Sequence, residues 1–412
     1  MRPVPSADRA RIAEELAALV AIPSITGDEE AVQAEVARRM EADGLRVVRI
    51  SADPERLEGD PAFPGYETPH PTLPIVAGHL AGARPGPRLL LSGHVDVVPP
   101  GEPADWTTPA FEPVVRDGAL YGRGACDMKG GLVAALEAVR LVAASGAGLS
   151  GEVVVLAVPA EEDGGSGSLA AIRAGYTGDA CVITEPTRLE VVVAHAGAIT
   201  FTLDVPGRAA HASVRREGVS ALDELGVLLD ALAADERRRN EAETDPLMTA
   251  IGLPYPTIVG RVEGGHWAST VMDRVLAHGR YGVRLGQDCD GAAAELRRAV
   301  TAAWEADEFL AGRPVGLSVW GGRFDSARVP VDHPLPVGLA AAGEAVLGRS
   351  PPLVGAPYGA DMRLFVNQGA TPTVMFGPGD VRAAHAADEH VDLDEVAACA
   401  GVLARWVVAT LG

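Results

Sequence analysis

The sequence lacks several features that would place it in a common class of proteins. Its four cysteines lie far apart and form no CxxC pair, which argues against a disulfide framework and against a zinc ribbon. Basic residues are few: 35 Lys and Arg against 56 Asp and Glu give a formal net charge of −21, which argues against nucleic acid or an anionic membrane as a partner. No apolar run approaches the roughly 20 residues of a membrane span, and the acidic residues near the start are unlike a secretory signal. We therefore expect a cytoplasmic protein.

Two common catalytic motifs are also missing. The segment GRGACDMKGG, residues 122–131, has no lysine followed by Ser or Thr at the spacing of a phosphate-binding loop. The segment GGSGS, residues 164–168, lacks the terminal glycine of a nucleophile elbow. The chemistry of this chain must therefore be sought in other side chains.

The length of 412 residues exceeds what one hydrophobic core usually supports, so two domains are expected. Buried apolar strands alternate with helical patterns in 1–195 and again in 329–412. This alternation predicts an α/β domain, with a mostly parallel central sheet flanked by helices. Between these segments, 196–328 has strands and helices in the order βαββαβ, which predicts an inserted α+β, ferredoxin-like domain.

One helix of the predicted inserted domain covers 219–234. Its leucines at 222, 225, 229 and 232 recur at helical spacing, which predicts that all four point into the core.

Side chains that bind metals follow the ends of four predicted strands. In open α/β sheets, ligands gather beyond the carboxyl ends of the strands, so these side chains are expected to meet at one edge. Such a group of carboxylates would repel itself without a cation. Histidines mixed with carboxylates suit zinc, with cobalt or manganese as substitutes. The residues concerned are His94, Asp96, Glu161, Glu162, Glu185 and His385.

Asp127 stands in a glycine-rich turn between a short strand and the start of a helix, where both of its oxygens can face outward. This suits a ligand that bridges two metal ions. His94 and Asp96 lie on the same side of an extended backbone, so the Asp96 carboxylate would accept a hydrogen bond from His94 and fix its tautomer. Of Glu161 and Glu162, which point opposite ways, one would bind metal while the other faces the substrate. A lone histidine is more often a surface residue, but the placement of all five segments favours a metal site.

Five segments resemble the successive motifs of one metallopeptidase family: GHVDVVP, GRGACDMKGG, PAEEDGG, ITEPT and FGPGDVRAAHAADEHV. The family contains acetylornithine deacetylase, succinyl-diaminopimelate desuccinylase, aminoacylase and glutamate carboxypeptidase, and the resemblance covers nearly the whole chain. It implies two zinc ions per subunit bridged by Asp127, with Glu161 as general base. It also implies a cis peptide bond after Asp127. The remaining ligands would be His94 and Glu185 at one ion, and Glu162 and His385 at the other.

The resemblance continues into the inserted domain, with departures. GRAAHAS, 207–213, is similar to the family's lid motif, which implies a homodimer in which His211 reaches the partner subunit's site and stabilises the oxyanion. STVMD replaces the usual NVVPD, and PYGADMR replaces GGTDxR. Arg280 is the candidate for binding a substrate carboxylate, and Gly359 for close approach of the backbone to a ligand. These departures fall on specificity determinants and leave the metal machinery intact.

The sequence therefore predicts a zinc-dependent amidohydrolase that acts on an N-acylated amino acid or a similar small amide, as a dimer formed through its lid domain. Two enzymatic alternatives remain open: a dipeptidase or carboxypeptidase, and a deformylase of a compound such as a pyrimidine. From a different class, the chain could be a non-catalytic binding protein that keeps the fold. Retention of Glu161 and of every proposed ligand argues against that third alternative.

Overall fold

The computed structural model describes residues 4–313 and 315–412, which divide into two compact units. The first unit contains the chain up to Val193 together with Arg328–Val354 and Asp361–Gly412. The second unit contains Ala194–Ala327 and Gly355–Ala360. Among the described residues, no helix combines the length and the apolar character needed to cross a membrane.

The two units are built from strands and helices. The strands are β1 (Arg46–Ala52), β2 (Leu73–Ala81), β3 (Arg84–His94), β4 (Val114–Arg116), β5 (Ala119–Tyr121), β6 (Ser150–Val158), β7 (Ala180–Ile183), β8 (Val191–His195), β9 (Gly197–Pro206), β10 (Thr257–Gly264), β11 (Arg274–Val283), β12 (Gly316–Phe324), β13 (Ala327–Arg328), β14 (Leu353–Ala356), β15 (Thr373–Met375) and β16 (His390–Asp392). The helices are α1 (Arg9–Val20), α2 (Glu30–Ala42), α3 (Pro54–Glu58), α4 (Gly130–Ala144), α5 (Ser166–Arg173), α6 (Ala221–Glu241), α7 (Pro246–Thr249), α8 (Cys289–Ala306), α9 (Pro334–Leu347), α10 (Met362–Asn367) and α11 (Leu393–Leu411).

The larger sheet is mixed rather than mostly parallel. Its order is β1-β2-β6-β3-β7-β15-β8-β13, with β14 paired to β8. The central pairs β6–β3, β3–β7 and β7–β15 are parallel, whereas the pairs β1–β2 and β2–β6 at one side are antiparallel. The central strands are apolar on both faces because helices such as α4 and α11 cover them.

The register of the parallel strands brings their carboxyl ends level. His94, the last residue of β3, is paired with Val158 of β6, and Ser92 is paired with Ile183 of β7. Ile183 is in turn paired with Met375 of β15. Residues that directly follow these four strands therefore emerge at one edge of the sheet.

The second unit contains a four-stranded antiparallel sheet in the order β10-β11-β9-β12, against which α6 and α8 pack. The chain order of these elements is βαββαβ, as the sequence predicts. From Ile199 to the end of β9 every second residue is buried in the core of the unit, whereas the residues between them are partly exposed. Along α6 the buried leucines are Leu225, Leu228 and Leu232, so the prediction that Leu222 and Leu229 also point inward is wrong.

Candidate metal centre

His94 is buried at the carboxyl end of β3, and its ring is oriented by the backbone. Its Nδ1 lies 2.9 Å from the backbone oxygen of Asp96. A carbonyl oxygen can only accept, so Nδ1 carries a hydrogen and Nε2 is the ring atom left to face the donor group. That Nε2 atom lies 3.1 Å from Oδ1 of Asp127. The ring is therefore oriented with Nε2, its metal-binding atom, toward Asp127.

The carboxylate of Asp96 acts differently from the sequence prediction. It lies 3.6 Å from Nδ1 of His94, and the hydrogen bond from that ring goes to the backbone oxygen of Asp96 instead. The carboxylate accepts the backbone N–H groups of Glu161 and Glu162 at 3.2 and 3.1 Å. It also accepts the hydroxyl of Thr26 at 3.2 Å. Asp96 therefore holds the turn that carries the glutamate pair.

Asp127 lies in a turn that only glycine neighbours permit. Gly122 and Gly124 have φ of 150° and 83°, and a Cβ added at either position would lie 2.5 or 2.6 Å from the side chains of Val20 or Val97. The peptide bond between Asp127 and Met128 is cis, which confirms the prediction. The turn directs the two carboxylate oxygens of Asp127 to different partners.

Those two partners are histidines. Oδ1 of Asp127 faces His94, and Oδ2 lies 3.5 Å from Nε2 of His385. The same Nε2 atom lies 3.0 Å from Glu162, and Nε2 of His94 lies 3.9 Å from Glu185. The donor atoms form two groups, each within 4.8 Å, that share Asp127: His94, Asp127 and Glu185; and Asp127, Glu162 and His385.

The electrostatics of the two groups favour a cation. The carboxylates of Asp127 and Glu162 raise the pKa of His385 to about 10. Burial opposes protonation of His94, yet its hydrogen bond to Asp127 and the charge of Glu185 hold its pKa well above the usual range. Oε1 of Glu185 is buried and has no hydrogen-bond partner in the described part of the chain. An excess of negative charge and an unused buried donor atom both fit a metal ion at this position.

Glu161 belongs to neither donor group, although its side chain is almost fully buried beside them. Burial, followed by the charges of Asp361 and Glu185, raises its pKa well above the usual value for a glutamate. A carboxyl group with a raised pKa next to a metal site has the properties of a proton carrier.

Three further predicted residues belong to the second unit, and no interaction there tests their roles. The backbone N–H of Ser213 donates to Nδ1 of His211 at 3.2 Å, so the ring hydrogen of the neutral His211 is on Nε2. Arg280 lies on β11 with its guanidinium 6.0 Å from the ring of Phe324. At Gly359 an added Cβ would overlap the side chain of Phe324, so close packing accounts for a glycine at this position.

Several buried polar residues that support the site were missed by the sequence analysis. Glu389 accepts the backbone N–H of Asp127 at 3.0 Å. Asp163 accepts the backbone N–H of Thr68 at 3.0 Å and contacts His70 at 3.1 Å, which ties the loop before β2 to the Glu161–Glu162 turn. These residues lie inside or beside the recognised motifs, but nothing in their spacing distinguishes them from surface acids.

The central strands of the sheet are parallel, and their ends carry two donor groups that share one aspartate. This arrangement is typical of metallohydrolases with a dinuclear centre. A family model described as peptidase family M20/M25/M40 matches residues 90–409. The chain therefore belongs to this family of metal-dependent hydrolases, which confirms the resemblance seen in the sequence.

Named relatives agree with this assignment. The chain is 26% identical over 362 residues to an N-formyl-4-amino-5-aminomethyl-2-methylpyrimidine deformylase of Bacillus subtilis, covering 82% of this chain and 83% of the relative. It is 30% identical over 343 residues to a succinyl-diaminopimelate desuccinylase of Gluconacetobacter diazotrophicus, covering 80% and 83%. It is 31% identical over 316 residues to an acetylornithine deacetylase of Yersinia pseudotuberculosis, covering 74% of each chain.

Solved structures share the fold. An M20-family metallo-carboxypeptidase from Sulfolobus solfataricus superimposes with a TM-score of 0.75 at 17% identity, covering 96% of this chain and 98% of the other. A Bacillus subtilis protein described as a dinuclear metal-binding peptidase of the M20 family gives a TM-score of 0.64 at 15% identity, covering 98% of each. At these identities the similarity establishes the architecture alone.

Proposed function

We propose that this protein is a zinc-dependent deacylase that hydrolyses the amide bond of a small N-acylated amino acid. The observation that supports the proposal most strongly is the pair of donor groups that share Asp127. Relatives at 30% and 31% identity are named as a desuccinylase and a deacetylase, which are deacylases by name. Membership of a peptidase family agrees with hydrolysis of an amide bond.

In this proposal His94 and Glu185 would hold one cation, Glu162 and His385 would hold the other, and Asp127 would belong to both sets. Each set combines one imidazole with two carboxylates, a donor set that suits zinc. Cobalt and manganese accept the same ligands and would substitute. When bound, the cations would supply Lewis-acid chemistry, which polarises an amide carbonyl and lowers the pKa of water.

The side chains around the cations carry the proton. Glu161 would accept a proton from the attacking water and then deliver it to the nitrogen of the departing amine. Asp96 would keep Glu161 in place through the backbone N–H groups that it accepts. His211, with its ring hydrogen on Nε2, would donate a hydrogen bond to the oxyanion in the site of a second copy. Arg280 and Gly359 stay candidates for contacts with the substrate.

We further propose a homodimer formed through the second unit. The edge strand β10 exposes Ile258 and Val262, with relative accessibilities of 62% and 49%, and α6 exposes Leu222 at 50%. Apolar side chains on an edge strand and a nearby helix are typical of a surface covered by another subunit.

A cytoplasmic location is also part of the proposal. All four cysteines are buried as free thiols, which suits a reducing compartment. Cell fractionation with an antibody to the intact chain would check it.

A second candidate function is hydrolysis of an N-formyl group on a heterocyclic amine. The Bacillus subtilis relative that carries such a name shares 26% identity over most of both chains. A dipeptidase or carboxypeptidase is the third candidate, from the sequence analysis. The three differ only in what the substrate-binding side chains accept, because the proton-carrying glutamate and the donor groups serve each of them equally.

One experiment separates these functions. The protein would be stripped with a chelator, reloaded with zinc, and assayed on N-acetyl, N-succinyl and N-formyl amino acids, an N-formyl aminopyrimidine, and dipeptides. We expect the highest kcat/KM on an N-acyl amino acid, loss of activity on chelation, and recovery with zinc. No turnover of any compound by protein that holds two metals would support the non-catalytic alternative instead.

A further inference from the structure

We propose that Glu389 is a positioning residue that fixes the bridging aspartate Asp127 through the backbone of its turn. The inference rests on the proposed function, because it concerns the ligand that the two candidate metal positions share. Glu389 belongs to neither donor group. Its effect on the reaction would therefore pass through Asp127.

The contacts of Glu389 enclose the turn. Its side chain is buried, with a relative accessibility of 1%. Oε1 accepts the backbone N–H groups of Cys126 and Asp127 at 2.9 and 3.0 Å, so one oxygen holds two consecutive peptide groups. The backbone oxygen of Glu389 accepts the N–H of Gly122 at 2.8 Å, at the other end of the turn. The same residue therefore fixes both ends of the segment that presents Asp127.

The second carboxylate oxygen is neutralised by a buried cation. Oε2 of Glu389 lies 2.6 Å from Nη1 of Arg123, whose side chain is also buried. The guanidinium carbon of Arg123 lies 5.2 Å from the ring of Trp106. A buried charge that lost this partner would be strongly unfavourable, so Arg123 fixes the second oxygen of Glu389 while Oε1 accepts the two N–H groups.

The position of Glu389 in the chain couples it to the other donor group. It follows the proposed ligand His385 by four residues and precedes β16, in which His390 is paired with Tyr121 of β5. One short segment thus supplies a ligand and also holds the turn that supplies the shared ligand. Displacement of Glu389 would disturb both candidate metal positions together.

The test compares two buried glutamates with similar contacts. Glu389→Gln keeps one acceptor oxygen but loses the charge opposite Arg123. Glu137→Gln is the matched control, because Glu137 is fully buried, accepts a backbone N–H from Asp8 at 3.0 Å and pairs with Arg140, but lies in the middle of α4. Each variant and the unchanged chain would be titrated with zinc and with cobalt by calorimetry, and their cobalt absorption spectra and melting temperatures recorded.

We expect Glu389→Gln to weaken metal binding by roughly 10- to 100-fold and to change the cobalt spectrum, as loss of a residue that orients a ligand does. We expect Glu137→Gln to lower the melting temperature while its metal affinity stays within about twofold. Arg123→Met is the second variant, for the case that Glu389→Gln does not fold, and it should shift affinity and spectrum in the same direction.

Two results would overturn the inference. One is a folded Glu389→Gln protein with unchanged metal affinity and cobalt spectrum, and the other is equal weakening of binding by the control. Failure of the proposed function would look different, because the unchanged chain itself would then bind fewer than two metals or hydrolyse nothing.

Discussion

At the scale of single residues, side chains of the same type make different contacts in the candidate site. Glu161 and Glu162 are consecutive, yet Glu162 lies 3.0 Å from His385 whereas Glu161 belongs to no donor group. Asp127 faces two histidines, whereas Asp96 accepts backbone N–H groups. Chemical identity alone does not separate these roles, but the direction of each carboxylate does.

The first prediction concerns Glu161. Glu161→Gln should keep both metals, because this residue is outside the donor groups. It should lose roughly a hundredfold to ten-thousandfold in kcat, because it removes the proposed proton carrier. Metal content by mass spectrometry and kcat on the best substrate check it. Loss of one metal would instead identify Glu161 as a ligand.

The second prediction separates two possible roles of Asp96. If its carboxylate holds the turn of Glu161 and Glu162, Asp96→Asn should weaken the metal position that contains Glu162 by roughly tenfold or more, since an amide offers one acceptor oxygen. The position that contains His94 should change little, because the backbone oxygen of residue 96 still orients that ring. Zinc titration with resolved steps measures both affinities, and selective loss at His94 would contradict the expectation.

At the scale of secondary-structure elements, the sequence predicts where the buried strands end better than it predicts which face of a helix is buried. Apolar runs bounded by polar residues predict β3, β6, β7 and β15, because a strand buried on both faces needs a continuous apolar stretch. The prediction for α6 failed at Leu222 and Leu229, since five leucines and a valine allow more than one apolar stripe. Which stripe is buried depends on the tilt of the helix across its sheet, a property of tertiary packing.

Long-range polar partners were the other part of the site that sequence could not supply. Glu389 and Asp127 are separated by 262 residues, and Asp163 and Thr68 by 95. A local pattern carries no information on such pairs. For Asp96 the sequence analysis predicted the right neighbour, His94, but not the atom that makes the hydrogen bond, because backbone direction after a strand depends on the following turn.

The third prediction belongs to the first turn of α6. Burial and a hydrogen bond with Asp307 raise the pKa of Glu224 to about 7, while Asp307 stays ionised by accepting the N–H groups of Phe309 and Leu310. A carboxyl group with a raised pKa in the folded state contributes stability below its unfolded pKa of 4.5 and loses that contribution as pH rises to 7. Glu224→Gln should therefore raise the stability at pH 8 by roughly 1 kcal/mol and have little effect at pH 4.5.

Urea unfolding at the two pH values measures this effect. The control is Glu295→Gln on α8, where Arg238 lies 2.6 Å away and contributes to a lowered pKa for Glu295 despite burial. Its stabilising contribution is present above the unfolded pKa, so this variant should lose stability at pH 8. The same sign for both variants would refute the pH argument.

At the scale of the whole molecule, the fourth prediction tests whether His211 acts in another copy. Glu161→Gln and His211→Ala should each be nearly inactive alone. When equal amounts of the two variants are mixed and exchange subunits, half of the dimers contain one subunit of each kind. Each of these mixed dimers has one complete site, so about one quarter of normal activity should be recovered. Activity that stays absent in a mixture shown to exchange by native mass spectrometry would place His211 in the site of its own chain.

The glycines at 122 and 124 constrain how this enzyme can diverge. An alanine at 122 would place its methyl group against Val20, and an alanine at 124 would place its methyl group against Val97. The positive φ at both positions also disfavours any side chain. In a library of random variants selected for turnover, both codons should therefore stay fixed even where α6 and β10 drift freely. New substrate preferences in descendants of this chain are then expected to arise from changes around the turn, never within it.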